Sequence, residues 1–219
     1  MRQLLLDLLP DSPPSLDNFV PGGNGETLAA LTEWLAGTRP DASFCLVGEA
    51  GSGRSHLLRA SAFPYVDAGD NPCLLGVTSE ATLAIDNVDQ LDGSGQIALF
   101  ALFNQLKAGG GRLLTAAPQP PAHLALREDL RTRLGSGLIY RLQPLSDAEK
   151  AAALAAQARE RALKLSPEAI DYLLRHAPRD MRVLATLIVA LDRYTLEHQR
   201  PVTLPLLREL LTRETAPAT

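Results

Sequence analysis

"LVGEAGSGRSHLL", Leu46 to Leu58, decides how this chain is read. Gly48 and Gly53 stand at the spacing of a G-x-x-x-x-G-K-[ST] phosphate loop, and Ser55 fills its hydroxyl position. "SFCLV" reads as a buried strand running straight into the glycines, and "SHLLRASA" opens a helix after them. Such a loop works because small residues let successive backbone N–H groups curl around phosphate oxygens. The following helix adds its positive end. Gly48, Gly51, Ser52, Gly53, Arg54, Ser55 and His56 are therefore candidate nucleotide-binding residues. The lysine slot holds Arg54, which keeps the charge but exchanges a compact ammonium for a planar fork. That fork suits diphosphate oxygens better than a γ-phosphate with its magnesium. A glycine turn that merely joins strand to helix is the competing reading.

Working outward, helices and strands alternate. "ETLAALTEWLA", Glu26 to Ala36, predicts a helix with Leu28, Leu31 and Leu35 at helical spacing. After the loop come a short strand around "PYVDA", a buried strand in "ATLAIDNVDQL" and a helix in "GQIALFALFNQLKA" that ends at Gly109-Gly110-Gly111. "RLLTAA" and "GLIYRL" are two further strands, with a short helix at "REDLRTRL" between them. This order predicts an α/β core whose parallel five-stranded sheet is covered on both faces. Beyond Leu142 only helices follow. Ser146 and Glu149 form a capping box, Ser166-Pro167 an N-cap with proline in the first turn, and Thr203 caps a last helix. The expected organisation is an amino-terminal peptide and linker over 1–14, the α/β core over 15–145, a small helical domain over 146–214 and a tail over 215–219.

Composition narrows the function classes. Hydrophobic residues make up 46% of the 219, enough for a proper core. A net charge of -4 leaves no whole-chain basic field to hold nucleic acid. The two cysteines, Cys45 and Cys73, make neither a disulfide framework nor a zinc site, and Cys45 lies in the apolar run before the loop as a small core residue. No apolar run reaches the length of a membrane span, and the amino terminus lacks a signal-peptide layout. A cytoplasmic protein is expected.

The strand "LAIDNVD" resembles a Walker B strand and ends on Asp86, where a carboxylate could hold the water shell of a magnesium ion together with Ser55. An Asp86 that simply ends a strand and caps the next turn is the alternative. The following residue, acidic in hydrolytic relatives, is Asn87, which cannot accept a proton. Hydrolysis in this chain's own site is expected to be weak.

With these residues in view, the chain resembles the AAA+ proteins of the DnaA group, and within it the Hda branch of regulatory inactivators. The resemblance is carried by "SLDNFVPG", "GSGRSHLL", "AIDNVD", "RLLTAAPQPP", "DLRTRLGSGLIYRLQPLSDAEK", "PRDM" and "RPVTLP", in the family's order and over nearly the whole chain. It implies an AAA+ P-loop core with a carboxy-terminal helical lid. It also implies bound ADP, with Phe19 and Val20 packing on the base and Arg179 of "PRDM" reaching the phosphates as sensor 2. Arg133 of "RTRLGSG" matches the arginine finger, offered in trans to a neighbouring subunit's nucleotide, with Arg131 as the nearest decoy. Without the resemblance, Arg133 is a surface arginine among basic neighbours and Arg179 a plain helix-start arginine. One departure stands out. Sensor 1 is polar in initiators, but Ala117 fills the position here.

The resemblance also gives the leucine-rich start a purpose. "QLLLDL", with Gln3, Leu4, Leu6 and Leu8, is similar to the Q-L-x-L-x-L peptides that enter the hydrophobic pocket of the DNA polymerase III β sliding clamp. A strand or helix packed on the core is the alternative. No helix-turn-helix follows the lid, so sequence-specific DNA binding is not expected. The implied protein is a nucleoid- or replisome-associated negative regulator of replication initiation with little ATPase of its own. Its implied partners are the initiator DnaA and the clamp, and self-association into a homo-oligomer is left open. A self-sufficient DnaA-like ATPase or loader, and a nucleotide-free AAA+ adaptor, are the competing functions.

Overall fold

The computed structural model describes residues 13–78, 81–178 and 180–212. Five short apolar runs pair there into a single parallel sheet: β1 (Ser43–Val47), β2 (Tyr65–Asp67), β3 (Thr82–Asp86), β4 (Arg112–Ala117) and β5 (Leu138–Arg141). Their order across the sheet is β2-β3-β4-β1-β5. β1 is flanked by β4 and β5, with Cys45 opposite Thr115 on one side and Ile139 on the other. Every residue of β1 is buried, as a strand covered on both faces requires. The expected parallel five-stranded sheet with helices is what the chain forms.

Alternation along the strands sorts side chains into two cores. On one face Phe44, Leu46, Ala84, Leu114 and Ala116 pack with helices α1 (Gly25–Leu35) and α2 (Arg54–Ala60). Helix α1 buries Thr27, Ala30, Leu31 and Trp34, one stripe at helical spacing. Trp34 is fully buried and donates its indole N–H to the Asp41 carbonyl at 2.7 Å. On the other face Leu83, Ile85, Leu113 and Ala117 pack with helices α3 (Gly93–Ala108) and α4 (Glu128–Gly135). Asp92 caps α3 by accepting from the Gly95 N–H at 2.7 Å, and Gly109 closes it.

β3 stops at Asp86, inside the run "ATLAIDNVDQL" and where the Walker B reading ends it. Asn87 turns into the left-handed region, with φ 52 and ψ 45, which asparagine tolerates better than most residues. A 3-10 turn over Val88–Gln90 follows. The strand therefore ends on the aspartate itself.

Pro13–Pro144 forms one compact unit, and a second begins at Leu145. Its described residues form four helices: α5 (Asp147–Glu160), α6 (Pro167–His176), α7 (Met181–His198) and α8 (Leu204–Thr212). They enclose their own core of Leu154, Leu173, Leu184, Ile188, Leu191 and Leu207. The predicted caps are in place. Ser146 Oγ accepts from the Glu149 N–H at 3.2 Å while Glu149 Oε2 accepts from the Ser146 N–H at 2.8 Å. Ser166 accepts from the Ala169 N–H ahead of Pro167, and Thr203 Oγ1 accepts from the Leu206 N–H at 3.4 Å. Among the described residues no helix is long and apolar enough to cross a membrane.

Ser146→Ala removes the reciprocal cap at the start of α5 and should cost about 1 kcal/mol. Urea unfolding followed by helical circular dichroism measures it, and Ser146→Asp should recover most of the loss.

Candidate functional site

The phosphate loop leaves the carboxyl end of the sheet between its two flanking strands. Gly48 N–H donates to the Ala117 carbonyl at 3.2 Å, and Leu142 N–H donates back to the Val47 carbonyl at 2.6 Å. A Cβ at residue 48 would lie 2.6 Å from the Leu142 oxygen and 2.6 Å from Ser52 Oγ, so only glycine fits. Gly51 and Gly53 hold φ of 79 and 96, the left-handed conformation that lets the loop fold over itself. The loop then enters α2 at Arg54, with Ser55 and His56 in its first turn.

Phe19 is placed against this loop. Its ring carbon Cε2 lies 2.6 Å from where a Cβ on Gly53 would stand. His56 fastens the same segment: its ring centroid is 5.5 Å from that of Phe19, and Nε2 meets the Ser15 carbonyl at 2.9 Å. Ser15 and Asn18 close a small turn, each backbone N–H donating to the other's side chain. His56 thus serves as a strap for the 15–19 segment, and Val20 lies half-buried beside it.

Two polar atoms of the loop are buried without a hydrogen-bonding partner among the described residues, Ser52 Oγ and Arg54 Nη1. A buried guanidinium nitrogen left this way is costly unless an anion meets it. The Arg54 charge also reaches into the sheet. Burial pushes the Cys45 thiol up to about 11, while Thr115 and the positive charge of Arg54 pull the other way. An unpaired guanidinium above a glycine loop fits a phosphate-bearing ligand, with Gly51, Gly53 and Ser55 beside it.

Asp86 tells a different story. It is fully buried, and both oxygens are occupied. Oδ1 accepts from the Asn87 N–H at 2.9 Å and Oδ2 from the Tyr65 hydroxyl at 3.1 Å. Asn87 is engaged as well, donating its amide to Asp67 Oδ1 at 2.9 Å. Burial, followed by the charge of Asp86, holds the Tyr65 hydroxyl well above the usual phenol range. Among the described residues no group of three or more His, Cys, Asp or Glu is placed to hold a metal ion. An enclosed, doubly bonded Asp86 does not fit as a magnesium ligand beside Ser55. Tyr65, Asp67 and Arg59 were not legible as site residues. Tyr65 and Asp67 are two apart on a short strand and so share a face, but their register against Asp86 is a tertiary fact.

The remaining candidates are spread out. Ala117 ends β4 fully buried and offers only its backbone. Arg133 lies exposed in the last turn of α4, its guanidinium 5.9 Å from the Phe100 ring centroid, with no carboxylate partner among the described residues. Arg131 is half-buried on the same helix. Arg179 and the segment carrying Gln3, Leu4, Leu6 and Leu8 lie outside the described residues. Next to Arg179, Asp180 caps α7 and pairs with Arg182 at 2.9 Å.

Comparison with known proteins places this geometry. Residues 147–211 match the family described as Hda, lid domain. Domain III of the Thermotoga maritima replication initiation protein DnaA shares the fold with a TM-score of 0.70 at 21% identity, covering 95% of this chain and 99% of that one. AMPPCP-bound DnaA from Aquifex aeolicus is similar at a TM-score of 0.65 and 24% identity, over 88% of this chain and 69% of that one. One variant of Thermotoga maritima RuvB matches at a TM-score of 0.60 and 19% identity, over 94% of this chain and 72% of that one. The chain thus carries a lid that matches the Hda family model, after an α/β core with the fold of DnaA domain III.

Gly53→Ala should destabilise the core through the strained φ and through collision with Phe19. In a Phe19→Leu background the collision is relieved and the backbone strain is not. The double-mutant cycle should therefore show coupling on the order of 0.5 kcal/mol or more, measured by denaturant unfolding. Strict additivity would contradict the contact.

Proposed function

We propose that this chain is a DnaA-related negative regulator of replication initiation that holds ADP and lends an arginine finger to ATP bound by DnaA. Gly51, Gly53, Arg54 and Ser55 hold the diphosphate, and Phe19 with Val20 closes the site on the base side. ADP supplies no chemistry of its own here; it fixes the loop and the segment strapped to it. The AMPPCP-bound relative of the same fold supports nucleotide binding, and the Hda-like lid supports the regulatory reading.

The observation that carries the proposal is Arg133. An exposed guanidinium resting on an aromatic face keeps its N–H edges available for an incoming phosphate. In the transition state of phosphoryl transfer, that positive charge meets the oxygens of the transferring group. Hydrolysis then takes place in the partner's site. The chain's own site is badly equipped for it: Asn87 donates its amide to Asp67, and Ala117 can neither orient water nor touch a γ-phosphate. The self-sufficient ATPase is correspondingly disfavoured. Gln3, Leu4, Leu6 and Leu8 anchor the protein to the DNA-loaded β sliding clamp, which brings the finger to where replication has begun.

The test is hydrolysis of DnaA-bound ATP in the presence of clamp and DNA. Arg133→Ala should fold and bind ADP normally yet lose stimulation on the order of a thousandfold. Arg131→Ala should be mild, and Arg133→Lys should restore little because it loses the two-pronged donor geometry. If Arg133→Ala stimulates fully, the trans-finger mechanism is wrong. In the same preparations Gln3→Ala with Leu4→Ala should abolish co-elution with clamp at nearly unchanged melting temperature. A sharp fall in melting temperature would make that stretch structural. Calorimetry should give ADP tighter than ATP, and failure to bind either would favour the nucleotide-free adaptor.

A further inference from the structure

We propose that Tyr65 withholds the Asp86 carboxylate from magnesium, so that this site takes a nucleoside diphosphate with little dependence on the divalent cation. The inference rests on the nucleotide-binding reading above and deepens it. Magnesium at nucleotide sites is bound through one or two carboxylates plus phosphate oxygens, and it keeps several of its waters. A carboxylate in that role needs an open side toward the ligand. Asp86 has none, being 0% exposed.

What encloses it is built into the sheet edge. Asp67 of β2 stands opposite Asp86 of β3, and Tyr65, two residues earlier, projects from the same face. The Tyr65 hydroxyl lies 3.1 Å from Asp86 Oδ2 and 3.4 Å from Asp67 Oδ2. A hydroxyl has one proton to give, and the shorter contact assigns it to Asp86. Asp67 is satisfied by other donors, the Gly69 N–H and the Asn87 amide, each at 2.9 Å. Arg59, projecting from α2, holds the tyrosine in place. It donates to the hydroxyl oxygen at 3.2 Å, and its guanidinium stands 4.6 Å from the ring centroid.

These contacts form one closed set. Turning Asp86 toward a cation would strip the Tyr65 proton from it and bring two carboxylates together with nothing between them. Asn87 contributes to the same restraint. An acidic residue in its place could not donate to Asp67, and the Asp67–Asp86 face would carry a third negative charge.

The experiment is calorimetric titration of the full chain with ADP, once in magnesium and once in EDTA. The wild type should give affinities that agree within about twofold. Tyr65→Phe keeps the ring and removes the proton donor, and should bind ADP about fivefold or more tighter in magnesium than in EDTA. Arg59→Ala loosens the tyrosine without touching Asp86 and should move the same way by less. A wild type that loses about tenfold or more in EDTA overturns the proposal and leaves nucleotide binding standing. A folded Tyr65→Phe protein with no magnesium response also overturns it. Should Tyr65→Phe fail to fold, the wild-type pair and Arg59→Ala decide. Absence of ADP binding by the wild type in both buffers removes the nucleotide reading, and this inference with it.

Discussion

The carbonyl oxygen of Leu142 and the hydroxyl of Ser52 close on Gly48 so tightly that no side-chain carbon fits there. The rest of the core follows from this contact. It occurs because β1 runs between β4 and β5, so the chain leaving β1 must pass between the ends of its neighbours. In an open parallel sheet that is the place where connections diverge to opposite sides and a crevice forms beyond the carboxyl ends. The glycine lets the loop turn inside the crevice instead of over it. Ser52 Oγ is trapped beneath, and the loop's second and third glycines, Gly51 and Gly53, can take their left-handed conformations above.

From there the consequences divide between the two faces of the sheet. On the α1 and α2 face the loop is covered by Phe19, which needs Gly53 to be bare, and the segment is held by His56 from the next turn of chain. The same face carries Tyr65, Asp67 and Asp86, so any restraint on the aspartate is felt beside the phosphate loop. On the opposite face α3 and α4 share the core of Leu99, Phe103, Leu130 and Leu134, and their packing fixes where Phe100 and Arg133 stand. Phe100 is half-buried there, a platform for the guanidinium and not a core residue.

Much of this was legible in the sequence, and what was not shares one cause. The glycine spacing, the five apolar runs, the Ser146–Glu149 box and the Ser166-Pro167 start are local signals, decided by residues a few positions apart. All of them form. His56 reads as a phosphate neighbour from its place in the motif, yet its ring nitrogen meets a carbonyl 41 residues earlier in the chain. Tyr65 sits 21 residues from the carboxylate it donates to. The Tyr65 partner is set by strand register, which packing of the assembled sheet fixes, and the His56 partner by where the 15–19 segment lies against α2.

The division between faces bears on the proposal that a chain with a poor hydrolytic site of its own acts on a partner's nucleotide. A finger needs an exposed guanidinium on a rigid element. Arg133 has that from α4, whose Leu130 and Leu134 are anchored in the core away from the phosphate loop. Cis hydrolysis needs a free acidic group next to Asp86 and a polar side chain at the end of β4. The chain has Asn87 tied to Asp67 and a buried Ala117 instead. Ala117 enters the core that seats α4 only as a small apolar side chain, so its lack of a polar group leaves the support of Arg133 in place. On the function proposed above, the cis site can therefore lose its chemistry while keeping a ligand for rigidity, and the trans function stays intact. On this view Asn87 and Ala117 are no defect. A regulator that hydrolysed its own nucleotide would change state by its own clock, whereas one that holds a diphosphate keeps a constant shape and leaves the timing to its partner.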